Sequence, residues 1–491
     1  MVAGIGIGTG IQTLTLTVAK FGGTSVGTAE AIIRSTKIVL NNPQIKVVIV
    51  SATSGTTNAL AELFDLLVNF QTNPKNPQSK ILKLIQEIKE KHLKIIESIG
   101  IKETNAIKII EEFEQKYSQT LPSIQTLTPT LTLKDRDFLL SFGERISAAI
   151  FTSTLQKLTK EQEHVQVQKQ EKKVKHLSAT KIVRTDENFG EANPDMLAIQ
   201  ELTKENLLPL LELNTTESTT VIVTEGFIAS TSSGEITTLG RGGSDYSSAL
   251  IIRGLYQHDP RFNLLEIWTD VDGISTTDPK LVKDARNIRE LHLNEAAELA
   301  FFGAKVLHPL TLIPLADVDI NVYVGNSFKE QNQKGTFIRK NIDPTPLVRA
   351  LALRNSQTII TLSRVKKPTN YGFLAHVFSI LTKYKISVDN VTTSEISTSF
   401  TFYDNPNITS DLIEELSKYA NVKVEGNLSL VSLIGHKIVK IPDILSSVFK
   451  VMEGYHIRAV FMGASKNNIS FLIAEEHGVE VINKLHASFL V

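Results

Sequence analysis

The chain has 491 residues, which is too long for one ordinary hydrophobic core and predicts two to four domains. Lys and Arg total 52, Asp and Glu also total 52, and the formal net charge at pH 7 is therefore zero. No general basic field exists to drive binding to nucleic acid or a membrane, which favours a small-molecule enzyme or a regulatory binder. The chain has no cysteine, which excludes disulfides, thiolate nucleophiles and Cys-ligated zinc and fits a reducing cytoplasm.

The amino-terminal segment, residues 1–13, begins MVAGIGIGTG. It lacks the basic region of a signal peptide and the Arg/Ser bias of a transit peptide. Its glycines are similar to part of a dinucleotide-binding fingerprint, but no strand pattern precedes them. We interpret the segment as a flexible leader. No apolar run in the sequence approaches the roughly 18 residues that a membrane-spanning helix needs.

A strand–turn–helix pattern occurs twice after the leader. LTLTVA (14–19) alternates like a strand and leads into the turn KFGGTSVG (20–27) and a helical pattern over 28–40. VVIV (47–50) is a continuous apolar run, typical of a strand buried on both faces, and ends in SATSGTTN (51–58). This alternation predicts a parallel α/β sheet.

The next segments depart from this pattern and then return to it. Residues 69–133 contain only one glycine, Gly100, and their amphipathic middle predicts helices that form an excursion from the sheet. SFGERISAAI (141–150) is also helical in pattern, whereas the Lys-, Gln- and Glu-rich 157–175 suggests an exposed connection or a strand pair. We further expect strands at 221–223 and 264–268, a helix at 294–302, the last strand of the domain at 320–324 and a linker at 329–346.

The carboxyl-terminal part contains an internal repeat. VFSILTKYKISVDNVTTSEISTSF, from Val377, aligns without gaps to VFKVMEGYHIRAVFMGASKNNISF, from Val448. Each copy has the pattern helix, turn, strand, hairpin, strand, and each follows a strand pattern (358–365 and 428–434). The repeat predicts two small α+β modules of the split βαβ kind, neither large enough to be very stable alone.

A glycine-rich turn in TTLGRGGSDYSSAL (237–250) runs directly into a helical pattern. Glycines there can adopt positive φ and let a ligand approach the backbone, at Gly240, Gly242 and Gly243. Ser244 and Asp245 are cap-type residues where the helix begins, so free N–H groups would face an anion. Arg241 adds a planar fork for a carboxylate or phosphate, and we expect Arg241 and Asp245 to be buried in the turn.

Other candidates are weak when taken singly. Lys20 precedes a Gly-Gly turn that could bring an ammonium and backbone N–H groups to phosphate oxygens. Glu144, alone, suits a surface or capping role, and Lys305 a solvated lysine. Asp270 and Asp272 could hold magnesium or ribose, or form ordinary Asx turns. Because parallel strands end at one edge of a sheet, we expect these turns to converge there. The sequence has no P-loop and no protein-kinase signature, so phosphate chemistry would need another fold.

Together these strings carry a resemblance. KFGGTSVG, SFGER, TEGF, TTLGRGGSD, WTDVDGISTTDP and GAKVLHP, in this order, resemble the aspartate kinases, enzymes that phosphorylate the side-chain carboxylate of L-aspartate with ATP. RALALRNSQTIITL, GFLAHVFSIL, KISVDNVTTSEIS and GASKNNISFLI resemble the paired ACT modules of the monofunctional, lysine-inhibited type. The resemblance covers Leu16 to the carboxyl terminus. It implies a three-layer αβα catalytic domain with a mainly parallel sheet (14–340), then two ferredoxin-like ACT modules, the first effector-binding (346–425) and the second structural (426–491).

The resemblance also implies roles. Lys20 resembles the lysine that bridges the reacting phosphoryl group, and Asp245 is its catalytic companion. Arg241 would hold the α-carboxylate of aspartate and Glu144 its α-ammonium. The implied aspartate pocket comprises Thr57, Glu144, Phe227, Arg241, Ser244 and Asp245. The implied ATP site comprises Lys20, Gly22, Gly23, Thr269, Asp270, Ser275, Lys280 and Lys305. Mg²⁺ would be bound mainly by the ATP phosphates, without metal-ligating protein residues.

Two residues of the implied ATP site depart from the family pattern GIYTTDPR. Ser275 stands where relatives have Tyr and cannot stack as Tyr does, which puts nucleotide affinity in question. Lys280 stands where relatives have Arg, so it keeps the charge and loses the fork.

The resemblance further implies feedback inhibition by L-lysine in the first module. Asp389 and Glu395 would accept its two ammonium groups, and the helix that opens at Gly372 its carboxylate. The second module has Val460 and Lys466 at the same register, so it cannot present the acidic pair. The implied effector site comprises Lys367, Asn370, Gly372, Phe373, Leu374, Ser387, Val388, Asp389, Ser394 and Glu395. Lys367 replaces an apolar residue of related chains, and a cation there could weaken lysine binding. A homodimer through the first module is implied, with a lysine-bound tetramer left open.

Three alternatives remain. Neighbouring amino-acid kinases that act on glutamate, acetylglutamate, UMP or carbamate lack the tandem repeat in this arrangement. A bifunctional aspartate kinase–homoserine dehydrogenase would need a further Rossmann domain after Val491. An amino-acid-sensing pseudokinase is suggested by Ser275, but Lys20, Glu144, Arg241 and Asp245 oppose it.

Overall fold

A computed structural model describes residues 15–72, 78–119, 131–165, 172–213, 219–303, 307–329, 335–343, 346–363, 372–403, 405 and 407–490. The leader 1–13 and three predicted site residues, Lys305, Lys367 and Asn370, lie outside these ranges. The chain forms two compact units. The first consists of Met1–Ile274 and Val306–Lys340, and the second of Ser275–Lys305 and Asn341–Val491. Within the described ranges, no helix is both long enough and apolar enough to cross a membrane.

The first unit contains a mainly parallel sheet, as predicted. Its strands are β1 Leu16–Phe21, β2 Ile45–Val50, β3 Val174–His176, β4 Val221–Glu225, β7 Phe262–Thr269, β9 Asn321–Asn326 and β10 Thr336–Arg339. They lie in the order β3-β4-β2-β1-β7-β9-β10, and all are parallel to their neighbours except β10, which is antiparallel to β9. A hairpin of β5 Ile228–Ser230 and β6 Ile236–Thr238 stands beside this sheet. Every residue of β1 and β2 is buried, which explains their apolar runs.

Helices cover this sheet. They are α1 Ala29–Asn41, α2 Thr56–Thr72, α3 Gln78–Ile99, α4 Asn105–Gln119, α5 Leu133–Val165, α6 Met196–Leu202, α7 Leu208–Leu211 and α8 Gly243–His258. The predicted excursion is confirmed as α3 and α4, which pack against each other through their apolar faces. One interpretation is wrong. Residues 157–165 were expected to form an exposed connection or a strand, but they continue helix α5. Leu155 and Thr159 are buried, so the helix keeps a buried face although this segment is rich in charged residues.

The prediction that 320–324 is the last strand of the domain is also wrong. β9 occupies this position, but β10 follows it inside the segment expected to be a linker. Thr336 is buried and its Oγ1 accepts the Ile274 N–H at 2.8 Å, while Phe337 pairs with Tyr323. A strand of four residues among Lys, Asn and Gly is too short to produce a visible alternation.

The second unit has one antiparallel sheet that contains both repeats. Its strands are β11 Ala350–Ser363, β12 Asn390–Thr393, β13 Ser397–Tyr403, β14 Asn421–Ile434, β15 Ile457–Met462 and β16 Asn468–Ala474, in the order β12-β13-β11-β14-β16-β15. Its helices are α10 Phe373–Lys383, α11 Ser410–Ser417, α12 Ile444–Val451 and α13 Gly478–Phe489. The order helix, strand, strand in both repeats is confirmed. The unit also holds β8 Glu290–His292 and α9 Leu293–Phe301.

Two long strands are shared between the modules. The carboxyl half of β11 pairs with β13 and with residues 421–425 of β14, whereas its amino half, Ala350–Arg354, pairs with residues 430–434. Val348 and Leu351 accordingly belong to the same apolar core as Val431 and Phe471 of the second module. Residues at the beginning of the predicted first module (346–425) therefore complete the core of the second.

Candidate functional site

The candidate active site lies where neighbouring parallel strands of the first unit end. Strands β4, β2, β1 and β7 are adjacent, so the turns that follow them lie at one edge of the sheet. Lys20, next to last in β1, is in register with Ile49 of β2 and Ile267 of β7. The structure therefore brings together the turns that the sequence analysis selected.

Lys20 and Asp245 form an ion pair at this edge, with side chains only 9% and 15% exposed. Asp245 lies in the first turn of α8, and glycines let this turn approach β4. A Cβ on Gly226 would lie 2.7 Å from the Ser244 Cβ, and one on Gly243 would lie 2.7 Å from the Phe227 ring. The glycines thus place an ammonium, a carboxylate and the amino end of a helix at one point.

Phe227 is held in an unusual backbone conformation. Its φ is 67°, which is uncommon for a bulky residue, and its N–H donates to Ser247 Oγ at 2.8 Å. Ser247 Oγ in turn donates to the Gly243 carbonyl at 2.8 Å. These bonds join the turn after β4 to the first turn of α8, and strained residues held in this way are typical of ligand sites.

Glu144, on α5, is 2% exposed. Its Oε1 accepts the Ala52 N–H at 3.2 Å, whereas its Oε2 is buried and has no hydrogen-bond partner in the described part of the chain. Burial raises the pKa of Glu144 to about 8, and the nearby Glu225 carboxylate contributes in the same direction. A buried oxygen without a partner is costly, and a ligand ammonium would satisfy it.

Glu225 itself is fully engaged. Its two oxygens accept the Ala179 N–H at 2.7 Å and contact His176 Nε2 at 2.9 Å. Glu225 therefore has a structural role at the end of β4, and Glu144 carries the unsatisfied acceptor.

Arg241 is exposed, so the expectation that it is buried is wrong. Its turn lies at the surface, and no side chain of the described ranges pairs with its guanidinium, which leaves the fork available for a ligand. Asp245 is half-buried, which is closer to the expected burial.

His308 lies against the glycine-rich turn. Gly242 has a φ of 74°, and a Cβ there would overlap the His308 ring. Burial lowers the pKa of His308, Asp245 opposes that shift and Arg241 adds to it. In the segment GAKVLHP (303–309), the sequence analysis selected Lys305 as a site residue but did not select His308.

Thr57 is half-buried in the first turn of α2, after the loop 51–55. This loop contacts the turn after β1, because the Ser54 N–H donates to the Gly23 carbonyl at 3.0 Å. A Cβ on Gly23 would lie 3.0 Å from the Ala52 carbonyl oxygen, and Gly22 lies beside Lys20 Nζ. Gly22, Gly23 and Thr57 are therefore neighbours of Lys20 or of the loop that contacts Glu144.

The residues predicted for nucleotide binding are distributed over both compact units. Thr269 ends β7 and donates from Oγ1 to Asp270 Oδ1 at 3.2 Å. Hydrogen bonds from Lys329 and Asn326 lower the pKa of Asp272, so this carboxylate already has a cation. Ser275 and Lys280 belong to the second unit, where Ser275 forms a β-bridge with Asn287 and Lys280 is exposed. No group of three or more His, Asp or Glu residues within the described ranges could hold a metal ion.

The predicted effector site lies in the first module. Gly372 has a φ of 93° and precedes α10, and Phe373 and Leu374 pack against the core of the module. Asp389 is not free, because it forms an ion pair with Arg354 of β11. The remaining described members are Ser387, Ser394 and Glu395, which are exposed, and Val388, which is half-buried. Sequence reasoning missed Arg354, which is far from Asp389 along the chain.

Comparisons with known proteins agree with this architecture. The model of the amino acid kinase family matches residues 15–326, and an ACT domain model matches residues 431–489. Lysine-sensitive aspartokinase 3 of Escherichia coli is 38% identical over 482 residues, which cover 96% of this chain and 99% of that protein. Aspartokinase 2 of Arabidopsis thaliana, a chloroplast protein, is 34% identical over 488 residues, which cover 96% and 84%.

Solved structures agree too. The crystal structure of E. coli aspartokinase III with aspartate and ADP has a TM-score of 0.79 at 36% identity, covering 97% of this chain and 100% of that one. The same enzyme with lysine and aspartate gives 0.75 at 37% identity, with the same coverage. The chain belongs to the amino acid kinase family. Within that family it belongs to the aspartokinases, kinases in which a catalytic α/β domain is followed by ACT domains.

Proposed function

We propose that this kinase transfers the γ-phosphoryl group of ATP to the β-carboxylate of L-aspartate, giving 4-phospho-L-aspartate and ADP. The observation that carries the proposal is the grouping of four charged side chains around one sheet edge: Lys20, Asp245, Glu144 and Arg241. Two of these side chains have hydrogen-bonding groups without a partner among the described residues, and the two groups are of opposite kind. Glu144 Oε2 lacks a donor, and the Arg241 guanidinium lacks an acceptor in the described chain. An α-amino acid supplies an ammonium and a carboxylate together. The E. coli relative whose structure contains aspartate and ADP supports this choice of substrates.

The mechanism follows from charge. A β-carboxylate oxygen forms a bond to the γ-phosphorus, the bond from that phosphorus to the β,γ-bridging oxygen breaks, and ADP leaves with the electron pair. A carboxylate needs no base to act as a nucleophile, so the protein must orient two anions and neutralise their charge. Lys20 would contribute its ammonium to the transferring phosphoryl group. Ligand binding would then take Lys20 from Asp245 or share it between them.

We propose Mg²⁺ as the cofactor, bound mainly by the ATP phosphates. The Asp270 carboxylate fits such a loosely held ion, because Asp270 directly follows β7 at the same sheet edge and carboxylate oxygens are ligands of Mg²⁺. When bound, Mg²⁺ would offset charge on the phosphate oxygens. Thr269 and Asp270, with Lys305, are the proposed nucleotide contacts.

We propose L-lysine as a feedback inhibitor that binds the first module of a homodimer, in an enzyme that begins aspartate-family (lysine, threonine and methionine) biosynthesis in the cytoplasm. The lysine-sensitive E. coli relative and its structure with lysine support this effector. Inhibition requires that lysine bind the inactive state more tightly than the active one. Activity should be measured against lysine and threonine in the parent and in Asp389→Ala. Inhibition by threonine alone, or undiminished lysine inhibition in the variant, would place the effector site elsewhere.

A sensing pseudokinase is the second candidate, and Ser275 in place of the family Tyr is the residue that favours it. The deciding experiment incubates the protein with ATP, Mg²⁺ and L-aspartate and traps the acyl phosphate as its hydroxamate. We expect hydroxamate formation that depends on both substrates. Its absence at millimolar ATP, together with retained lysine binding, would support the pseudokinase instead.

A further inference from the structure

Helix α3 belongs to the excursion that the sequence places outside the sheet, yet two of its side chains reach the active-site edge. Lys91 Nζ donates to the Ser54 carbonyl at 2.6 Å and to Thr56 Oγ1 at 3.0 Å. His92, the next residue, is fully buried and its Nε2 lies 2.9 Å from Thr53 Oγ1. Both residues therefore contact the loop 51–55, and Lys91 also contacts Thr56 at the start of α2.

The hydrogen bonds in this cluster have a single consistent direction. The Ile88 carbonyl, 2.7 Å from His92 Nδ1, can only accept, so Nδ1 carries the proton. Burial lowers the pKa of His92 to about 4, which keeps the ring neutral and makes Nε2 an acceptor. Thr53 must then donate to Nε2, and Thr56, at 2.6 Å, must donate to Thr53 Oγ1. Lys91 completes the chain by donating to Thr56 Oγ1.

The loop held by this chain connects two parts of the site. The Ala52 N–H donates to Glu144 Oε1, and the Ser54 N–H donates to the Gly23 carbonyl in the turn after Lys20. Ser54 and Gly55 are themselves exposed, so packing alone does not fix their position. The bond from the Lys91 ammonium to the Ser54 carbonyl is therefore a second attachment of the exposed loop tip, in addition to the bond from the Ser54 N–H to Gly23.

We propose that Lys91 and His92 are positioning residues of the aspartate pocket, which hold the loop 51–55 so that Glu144 and Thr57 meet the substrate. This inference rests on the proposed function, since it assigns Glu144 and Thr57 to aspartate. It also gives the helical excursion a role, because side chains of α3 supply hydrogen bonds to this loop in addition to those from the sheet and the neighbouring turns.

The test compares Lys91→Met with the parent. Without the ammonium donor we expect the KM for aspartate to rise about tenfold or more, while the KM for ATP changes less than twofold. Lys91→Arg keeps a charged donor and should recover most of the loss. Lys94→Met is the matched control, since Lys94 lies on the same helix but is exposed. His92→Phe removes the Nε2 acceptor and should raise the aspartate KM in the same way.

A stability control separates positioning from weaker folding. Ile95→Val removes one buried methyl group from α3 without touching the loop, so it should lower Tm and leave the aspartate KM unchanged. If Ile95→Val raises the aspartate KM as Lys91→Met does, or if Lys91→Met leaves that KM unchanged, the inference is wrong.

Amide hydrogen exchange adds a reading that needs no substrate. In Lys91→Met the amides of residues 51–57 should exchange faster than in the parent, and in Lys94→Met they should not. Unchanged exchange in Lys91→Met would overturn the positioning role by itself. If the parent fails to phosphorylate aspartate but exchange still responds to Lys91→Met, the proposed function is wrong, whereas the conclusion that Lys91 holds the loop 51–55 is retained.

Discussion

Arg354 and Asp389 form an ion pair in the second unit, and their side chains are only 12% and 14% exposed. Arg354 also lies over the Tyr403 ring, 5.1 Å from its centroid. Burial raises the pKa of Asp389, and the Arg354 guanidinium opposes this by favouring the carboxylate. The carboxylate proposed to bind an ammonium group of lysine therefore already holds a cation of its own chain, with which the effector has to compete.

Replacement of Arg354 by Gln should consequently tighten lysine binding. The ion pair with Arg354 lowers the fraction of molecules in which Asp389 is available to the effector. We therefore expect the Kd for lysine, measured by calorimetry, to fall about tenfold when this internal partner is absent. Asp389→Asn should weaken binding instead. Arg458→Gln is a matched control, since Arg458 forms an ion pair with Glu425 in the same sheet. Equal or weaker lysine binding by Arg354→Gln would contradict the competition.

The convergence of the candidate turns at one edge of the sheet could be predicted from the sequence because the relevant signals are local. An apolar run, a glycine turn and a helix start occupy consecutive residues, so β1, β2 and the start of α8 could be located before any contact was known. Lys20 and Asp245 were selected from separate turns, and the parallel arrangement of the strands brings them together.

What the sequence could not predict depends on long-range contacts. Two examples are the Arg354–Asp389 ion pair and the bonds from Lys91 to the loop 51–55. Each joins segments that are distant in the sequence, and the hydrophobic periodicity of a segment does not indicate which other segment it contacts. Composition misled in two places. Charged residues concealed the end of α5, and the Lys- and Asn-rich composition of 329–346 concealed β10.

Loss of the Lys20 ammonium should reduce turnover far more than substrate binding. We expect Lys20→Met to lower kcat about 10²–10³-fold, the usual effect of removing one preorganised donor, with little change in aspartate affinity. Lys46→Met is the control, because Lys46 is also buried but lies at the opposite end of β2. Steady-state kinetics with both substrates varied would measure the effect. Turnover near that of the parent would remove Lys20 from the mechanism.

Arg241 should contribute to aspartate recognition through its fork. Arg241→Lys keeps the positive charge and loses the two-point contact with a carboxylate, so we expect the aspartate KM to rise steeply. The exposed position of Arg241 means that the fold should not be affected. Arg253→Lys, on α8 and paired with Asp317, provides the comparison. An aspartate KM equal to that of the parent would show that Arg241 does not hold the substrate.

Glu144 should make the ligand-free protein less stable as the pH rises. Its pKa is about 8 in the folded protein against an ordinary value of 4.5, so the folded state retains its proton where the unfolded chain has lost it. Stability is therefore lost between these two pH values, by about 1.4 kcal/mol per pH unit. Glu144→Gln lacks this ionisation, and urea unfolding should find the variant increasingly more stable than the parent from pH 5 to pH 8.

The same variant should fail at aspartate binding, because a neutral amide cannot compensate the charge of the α-ammonium group. Glu266→Gln is the matched control. Burial also raises the pKa of Glu266, to about 7, but both its oxygens are occupied, by Trp268 Nε1 and Asn42 Nδ2. We expect Glu266→Gln to alter the pH dependence of stability and to leave the aspartate KM unchanged. If Glu144→Gln gains no stability at pH 8, or binds aspartate as the parent does, Glu144 is not the acceptor for the substrate ammonium.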